Sequence, residues 1–162
     1  MVVIWVTVIV LWCGMIYETE TKALSFDAAA NEGVTFAAQL PHGWELGSGV
    51  IAHVHWSPST TDTGDVKWVL YYSKQAVNGG AFPAEDSLVV TTAGSGTAKS
   101  HQYITLGTIN MSAITTISPM LMCSLKRIGA AGTDTFTGEA YLLEIDFHYQ
   151  IDSRGSRWEN VK

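Results

Sequence analysis

His53 and His55 are two imidazole side chains separated by one residue, a spacing that can support metal chemistry. On a β-strand, residues i and i+2 point to the same face, so the two rings would lie side by side. Asp146 and His148 have the same spacing in a later segment. Imidazole and carboxylate groups ligate zinc and iron. If the two segments form neighbouring strands, these four residues are candidate metal ligands.

A metal site needs more than one histidine pair, and part of the expected pattern is missing. Jelly-roll proteins of the cupin type add a Glu four or five positions after the second His. Ser59 and Thr60 occupy those positions here. We therefore expect His53, His55 and His148 to form a hydrogen-bonded patch at a sheet or subunit surface, with no essential metal and no cofactor. A metal-dependent, cupin-like enzyme remains the alternative.

Two further features could indicate catalysis. Glu144 and Asp146 would lie about 7 Å apart on one strand face, and paired carboxylates serve glycoside hydrolysis. Alternating polar residues are also usual on the exposed face of an antiparallel sheet. The segment 94–100 resembles a phosphate-binding loop, but Ala98 stands where a Gly must precede Lys99. No nucleophile motif is present, so the sequence predicts a protein that is not an enzyme.

Aromatic residues on the predicted strands allow a second kind of site. They could form a stacking platform for sugars, and the candidates are Trp44, Trp56, Trp68, Tyr71 and Tyr72. Aromatic side chains on sandwich strands are more often in the core or at an interface, because each buries a large apolar area. Carbohydrate binding therefore remains an alternative function.

Strand patterns recur along the whole chain, and no long segment has helical periodicity with caps. The predicted strands are 17–24, 33–40, 49–56, 66–74, 87–92, 100–106, 119–128 and 139–151. In the last of them, strict alternation would put Leu142 on the same face as Glu144 and Asp146, and Leu143 on the face of Ile145. Seven or eight short strands separated by turns predict a single-domain, all-β sandwich. A jelly roll is the first choice and an immunoglobulin-like sandwich the second.

The 162 residues have the length of one domain. We predict an N-terminal arm or strand over 1–24, the sandwich over 25–151 and a tail over 152–162. Residues 2–12 are apolar and rich in β-branched side chains, but they are too few for a membrane-spanning helix, which needs about 20 residues. This segment has three interpretations: a buried or intermolecular strand, a misassigned start or arm, and a membrane signal. The first agrees best with the β-propensity of its residues.

Charge limits the partners of the protein. A net charge of −6 disfavours nucleic acid, whose phosphates require clustered Lys and Arg. Only 15% of the residues are charged, which is typical of a surface that other protein covers. Cys13 and Cys123 form no metal-ligand pattern. We expect an oligomer, a homotrimer in the first instance, that binds neither nucleic acid nor a membrane.

Two segments carry a resemblance to a known group. The first runs from Leu40-Pro-His-Gly-Trp44 to His53-Val-His-Trp56, and the second from Leu143 through Asp146-Phe-His-Tyr149 to Lys162. Together they resemble virion structural proteins of tailed bacteriophages and prophages, of the decoration or fibre type. The shared pattern is P-H-x-W…H-x-H-W, closed by D-F-H-Y-x-x-D-x-x-G-S-R-x-E-x-x-K. The resemblance covers about residues 40–162.

The resemblance implies a virion protein that is assembled in the bacterial cytoplasm. We expect a capsid decoration (cement) protein that bridges subunits of the major capsid protein or contacts other virion proteins. A tail-fibre module that binds a receptor or carbohydrate is the alternative. The expected interface residues are Trp5, Trp12, Trp44, His53, His55, Trp56, Asp152, Arg154, Arg157 and Glu159.

Overall fold

A computed structural model of the chain describes residues 17–18 and 23–155, with side chains for the second range. Within these ranges the protein has nine β-strands and no helix. Alternating apolar and polar residues give the strands at Val50–Pro58 and Met120–Ile128 one buried face. The strands are β1 (Tyr17–Glu18), β2 (Ala23–Phe26), β3 (Asn31–Gln39), β4 (Val50–Pro58), β5 (Asp65–Gln75), β6 (Asp86–Ala93), β7 (Gln102–Ile109), β8 (Met120–Ile128) and β9 (Ala140–His148).

The strand pairing is that of a long hairpin rolled into two layers. β2 pairs with β9, β3 with β8, β4 with β7 and β5 with β6, all antiparallel. The rolled pairs then join as a five-stranded sheet, β1-β2-β9-β4-β7, and a four-stranded sheet, β3-β8-β5-β6. This order is a jelly roll, so the predicted all-β sandwich and its jelly-roll topology are confirmed.

The core between the sheets is rich in aromatic rings. Trp56 packs against Trp68 with ring centroids 6.3 Å apart, and Phe26 meets Trp68 edge to face at 5.5 Å. Trp44, Trp56 and Trp68 are completely buried, and Tyr72 nearly so. Trp44 and Trp56 therefore cannot offer contact area to another subunit, and the interface prediction for these two residues was wrong. The same burial removes the three tryptophans from the sugar platform considered above.

Several predicted boundaries shift in the structure. β1 and the first two residues of β2 fall within the predicted arm 1–24, although both strands pair in the five-stranded sheet. β4 continues through Pro58, two residues beyond the end of the predicted strand 49–56. Residues 2–12, with Trp5 and Trp12, lie outside the described residues, as do Arg157 and Glu159. The described residues contain no helix with the length and apolar character needed to cross a bilayer.

The predicted alternation of β9 was wrong at one position. Trp56 pairs with Leu142 and His55 with Glu144, so Leu143 is an extra residue with no partner on β4. This β-bulge changes the face on which the following residues lie. Leu142 and Ile145 both pack in the core, whereas Glu144 and Asp146 lie on the outer face.

A buried ion pair connects the two sheets at one end of the sandwich. Arg127 on β8 is fully buried and donates two hydrogen bonds to the Asp134 carboxylate, at 3.0 and 2.8 Å. It donates three more to backbone carbonyl oxygens, those of Phe26, Phe136 and Gly138, at 3.0, 2.6 and 2.7 Å. All five guanidinium N–H groups therefore have an acceptor. Asp134 also accepts from the Lys67 backbone N–H.

Replacing Arg127 tests the importance of this ion pair. We expect Arg127→Met to lower the free energy of unfolding by about 3–5 kcal/mol, because it leaves a buried carboxylate without its partner. Lys126→Met is the matched control, since it removes a neighbouring cation that lies 5.3 Å from the Tyr71 ring at the surface. It should cost about 1 kcal/mol or less. Denaturant unfolding gives both values, and equal losses would contradict the role assigned to Arg127.

Candidate functional site

The outer face of the five-stranded sheet carries a cluster of polar and aromatic side chains at its centre. β4 lies between β9 and β7, so its outward residues face partners on both sides. His53 pairs with Asp146 and Thr105, and His55 with Glu144 and Tyr103. The cluster surrounds a shallow depression of about 480 Å³, and we call it the histidine face: His53, His55, Tyr103, Thr105, Glu144, Asp146 and His148.

A β-bulge lies beside each end of the His53–His55 segment. The first is the bulge at Leu143 on β9. The second is on β7, where Ala52 pairs with Gly107 and His53 with Thr105, so that Leu106 is the extra residue. Gly107 has φ +143°, a conformation in which a side chain is strained. Bulges bend strands and redirect side chains, and they are frequent beside functional sites.

The Asp146 carboxylate is the centre of the histidine face. Its Oδ2 contacts His148 Nε2 at 2.7 Å, within hydrogen-bond distance. Its Oδ1 lies 3.6 Å from His53 Nδ1 and 3.5 Å from His55 Nε2. Three imidazoles therefore surround one carboxylate. This carboxylate is largely buried, and its residue is only 7% exposed.

Asp146 Oδ1 is buried and has no hydrogen-bond partner among the described residues. The other buried side-chain atoms without a partner there are three indole nitrogens and the Tyr149 hydroxyl, which are neutral groups. A carboxylate oxygen is more costly to leave unpaired, because burial penalises charge more than polarity. Asp146 Oδ1 therefore accepts no hydrogen bond from the described residues, and it faces the ring nitrogens of His53 and His55.

The surroundings of His53 keep its ring neutral. Burial lowers the pKa of His53 below its ordinary value of 6.5, and the nearby His148 and His55 act in the same direction. The carboxylate of Asp146 opposes this shift without cancelling it. At neutral pH the His53 ring is therefore uncharged and has one nitrogen lone pair available, which is the form that binds a metal.

His55 and Tyr103 form the exposed rim of the face. His55 Nδ1 contacts His101 Nε2 at 2.8 Å, so one ring proton lies between the two histidines. Tyr103 stacks on His55 with ring centroids 5.8 Å apart and an interplanar angle of 25°. Its side chain is 66% exposed, the largest value among the exposed large hydrophobic residues described. The rim thus offers solvent an aromatic ring and several polar groups.

A second depression of about 620 Å³ adjoins the first and shares His148 with it. Apolar and polar residues line it together, among them Ile51, Ile151, Glu45 and Gln150. Ile51 and Ile151 are substantially exposed. The two depressions form one extended surface across the sheet, long enough for more than a single small group.

The structure brings together all four residues that the sequence marked as metal candidates, with Glu144 beside them. Asp152 and Arg154 lie beyond β9 at exposed positions, and their predicted interface role stays a prediction. Tyr103 and His101 were missed. Alternation in the segment 100–106 places Tyr103 and Thr105 on one face, but the pairing of that segment with β4 cannot be read from the sequence.

No family model and no curated protein sequence matches this chain. Among solved structures, the carbohydrate-binding module TmCBM61 in complex with β-1,4-galactotriose is similar at 12% identity and a TM-score of 0.41, with 84% of this chain and 81% of that chain covered. The arabinose-bound α-L-arabinofuranosidase MgGH51 is similar at 14% identity and a TM-score of 0.38, with 90% of this chain but only 22% of that chain covered. Similarity at this level does not extend to function.

Replacing His148 tests the hydrogen bond to Asp146. In the presence of a chelator, we expect His148→Ala to lower the free energy of unfolding by about 1.5–3 kcal/mol, because a bond to a charged group is lost. His101→Ala, at an exposed position, should change it by about 0.5 kcal/mol or less. Denaturant unfolding provides the measurement. An unchanged midpoint for His148→Ala would show that the contact contributes nothing to stability.

Proposed function

We propose that this chain is a virion structural protein of a tailed phage that acts as a binding module through its histidine face. One observation supports the proposal best. The two segments that carry the resemblance to phage proteins contribute to the same site, since the H-x-H-W segment supplies His53 and His55 and the D-F-H-Y segment supplies Asp146 and His148. Segments far apart in sequence thus form one surface patch on adjacent strands.

The chemistry of the surface favours a carbohydrate of the host receptor as ligand, as in a tail-fibre module. Sugar rings have apolar C–H faces that pack on exposed aromatic rings, and Tyr103 offers such a ring. Sugar hydroxyls donate to carboxylates and exchange hydrogen bonds with imidazoles. Glu144 and His55 lie beside Tyr103 in the same depression. An open, extended surface also suits a chain of several sugar units.

A capsid decoration protein is the second candidate, and the opposite face of the sandwich favours it. The outer face of the four-stranded sheet exposes the apolar side chains of Val89 and Met122. Met122 pairs with Ala37 on one side and Ser73 on the other, so both of its cross-strand partners are uncharged. Contact of this face with the major capsid protein, or with other copies in a homotrimer, would cover the apolar groups.

Glycan-array binding by the purified chain tests the first candidate. We expect binding to a limited set of glycans, with Tyr103→Ala weakening it at least tenfold because the stacking ring is lost. Val89→Ala is the matched control on the opposite sheet and should leave binding unchanged. Equal weakening by both substitutions would place the glycan elsewhere, and no glycan binding at all would contradict the carbohydrate proposal.

Particles that lack the protein separate the two candidates. A decoration protein binds only the assembled shell and stabilises it by mass action. Its loss should therefore give particles that assemble but rupture at a lower temperature than the wild type, measured by release of DNA on heating. Particles of unchanged thermal stability that no longer adsorb to cells would instead support the receptor-binding module.

A further inference from the structure

We propose that the histidine face binds one divalent transition-metal ion of the zinc type, through His53, Asp146 and His148 with His55 available as a fourth ligand. This proposal replaces the sequence-based expectation of no metal. It does not depend on carbohydrate binding or on a place in a virion, because it follows from the side chains of the face alone.

The donor set has the composition and span of a transition-metal site. One donor atom from each of His53, Asp146 and His148 lies within 4.8 Å of the others. Imidazole nitrogens with one carboxylate suit zinc and ferrous iron, whereas magnesium and calcium prefer oxygen ligands throughout. The three residues come from two adjacent strands of a closed sandwich, so the scaffold fixes their backbone positions.

The distances around Asp146 Oδ1 fit an ion better than hydrogen bonds. Hydrogen bonds between nitrogen and oxygen are about 2.7–3.2 Å long, whereas this oxygen lies 3.6 Å from His53 Nδ1 and 3.5 Å from His55 Nε2. Two ligands of a tetrahedral zinc ion, each bonded at about 2.0–2.1 Å, lie about 3.4 Å apart. The separations of Oδ1 from His53 and His55 therefore match those of atoms that share a metal, whereas the 2.7 Å between Asp146 Oδ2 and His148 Nε2 is a hydrogen-bond distance that a bound ion would replace.

The unpaired Oδ1 of Asp146 gives an electrostatic reason to expect that a cation binds here. Asp146 is more than nine-tenths buried, and its Oδ1 has no hydrogen-bond donor among the described residues. A buried carboxylate without compensation is strongly destabilising. An ion between Oδ1 and the imidazoles would compensate that charge and would be bound by the nearby ring nitrogens of His53 and His55.

Neighbouring contacts orient the imidazoles as they do in protein metal sites. A ligating histidine commonly donates its second ring N–H to another group, which fixes the ring. His55 Nδ1 lies 2.8 Å from His101 Nε2, so a proton on Nδ1 leaves Nε2 free to face Asp146. His53 and His148 pack edge to face at 4.3 Å, which keeps both rings over the carboxylate.

Metal titration of the full chain tests the proposal. After treatment with a chelator and its removal, we expect zinc chloride to bind at one ion per chain with a Kd in the micromolar range or below, by isothermal titration calorimetry. Cobalt(II) chloride should give the visible absorption of a low-coordinate nitrogen and oxygen site. Magnesium chloride should give neither signal nor any rise in Tm.

Substitutions locate the ion. His53→Ala and His148→Ala should each weaken zinc binding at least a hundredfold, whereas His42→Ala, in the turn before β4, should leave it unchanged. Circular dichroism and denaturant unfolding of each variant without metal establish that it is folded. Asp146→Asn is a further ligand variant. If Asp146→Asn fails to fold, the two histidine variants still test the proposal.

Three results would overturn the proposal. Zinc binding that is equally strong in wild type, His53→Ala and His148→Ala would place the ion elsewhere. Equal responses to zinc and magnesium would indicate general cation binding. Absence of zinc binding by the folded wild type would leave the hydrogen-bonded histidine patch expected from the sequence.

Discussion

The buried pair of Arg127 and Asp134 is the interaction on which the site depends most. Arg127 belongs to the four-stranded sheet, yet its guanidinium donates to the carbonyl oxygens of Phe26, at the end of β2, and of Gly138, just before β9. It thereby fixes the point at which β9 enters the five-stranded sheet. Register is costly to change in a buried sheet, so this one side chain helps to determine which residues of β9 lie opposite His53 and His55.

Two bulges adapt that framework to hold polar groups. A strictly alternating β9 would direct either Leu142 or Asp146 to the wrong face, because the two lie an even number of positions apart. The extra residue Leu143 allows Leu142 to pack in the core while Asp146 faces outward. Gly107 permits the corresponding irregularity in β7. The sheet thus accommodates a largely buried carboxylate on its outer face without loss of core packing on its inner face.

The sequence predicted the half of the site that depends on local pattern. The spacing of His53 and His55 correctly placed both on one face of a strand, and Val54 and Trp56 on the other face are buried. The sequence correctly assigned Asp146 to the outer face, but it wrongly placed Leu142 on the same face. The error comes from the bulge at Leu143, which is defined by pairing with the partner strand and leaves no local signal in the sequence. The roles of Tyr103 and Arg127 were equally hidden. Tyr103 contacts a strand that is distant in sequence, and Arg127 donates mainly to backbone carbonyl groups, which leave no signal in the sequence.

The jelly-roll topology makes the histidine face a property of the completed fold. β4 and β9 come from opposite halves of the chain, and they become neighbours only when the rolled pairs β2–β9 and β4–β7 join in one sheet. Neither half contains the His53–Asp146 juxtaposition by itself. A ligand that requires this juxtaposition binds the native state and not the unfolded chain, so it raises the global free energy of unfolding by an amount that grows with the ratio of ligand concentration to Kd. The pairing of β4 with β9 therefore both completes the five-stranded sheet and forms the site. A ligand bound at the site in turn stabilises that pairing.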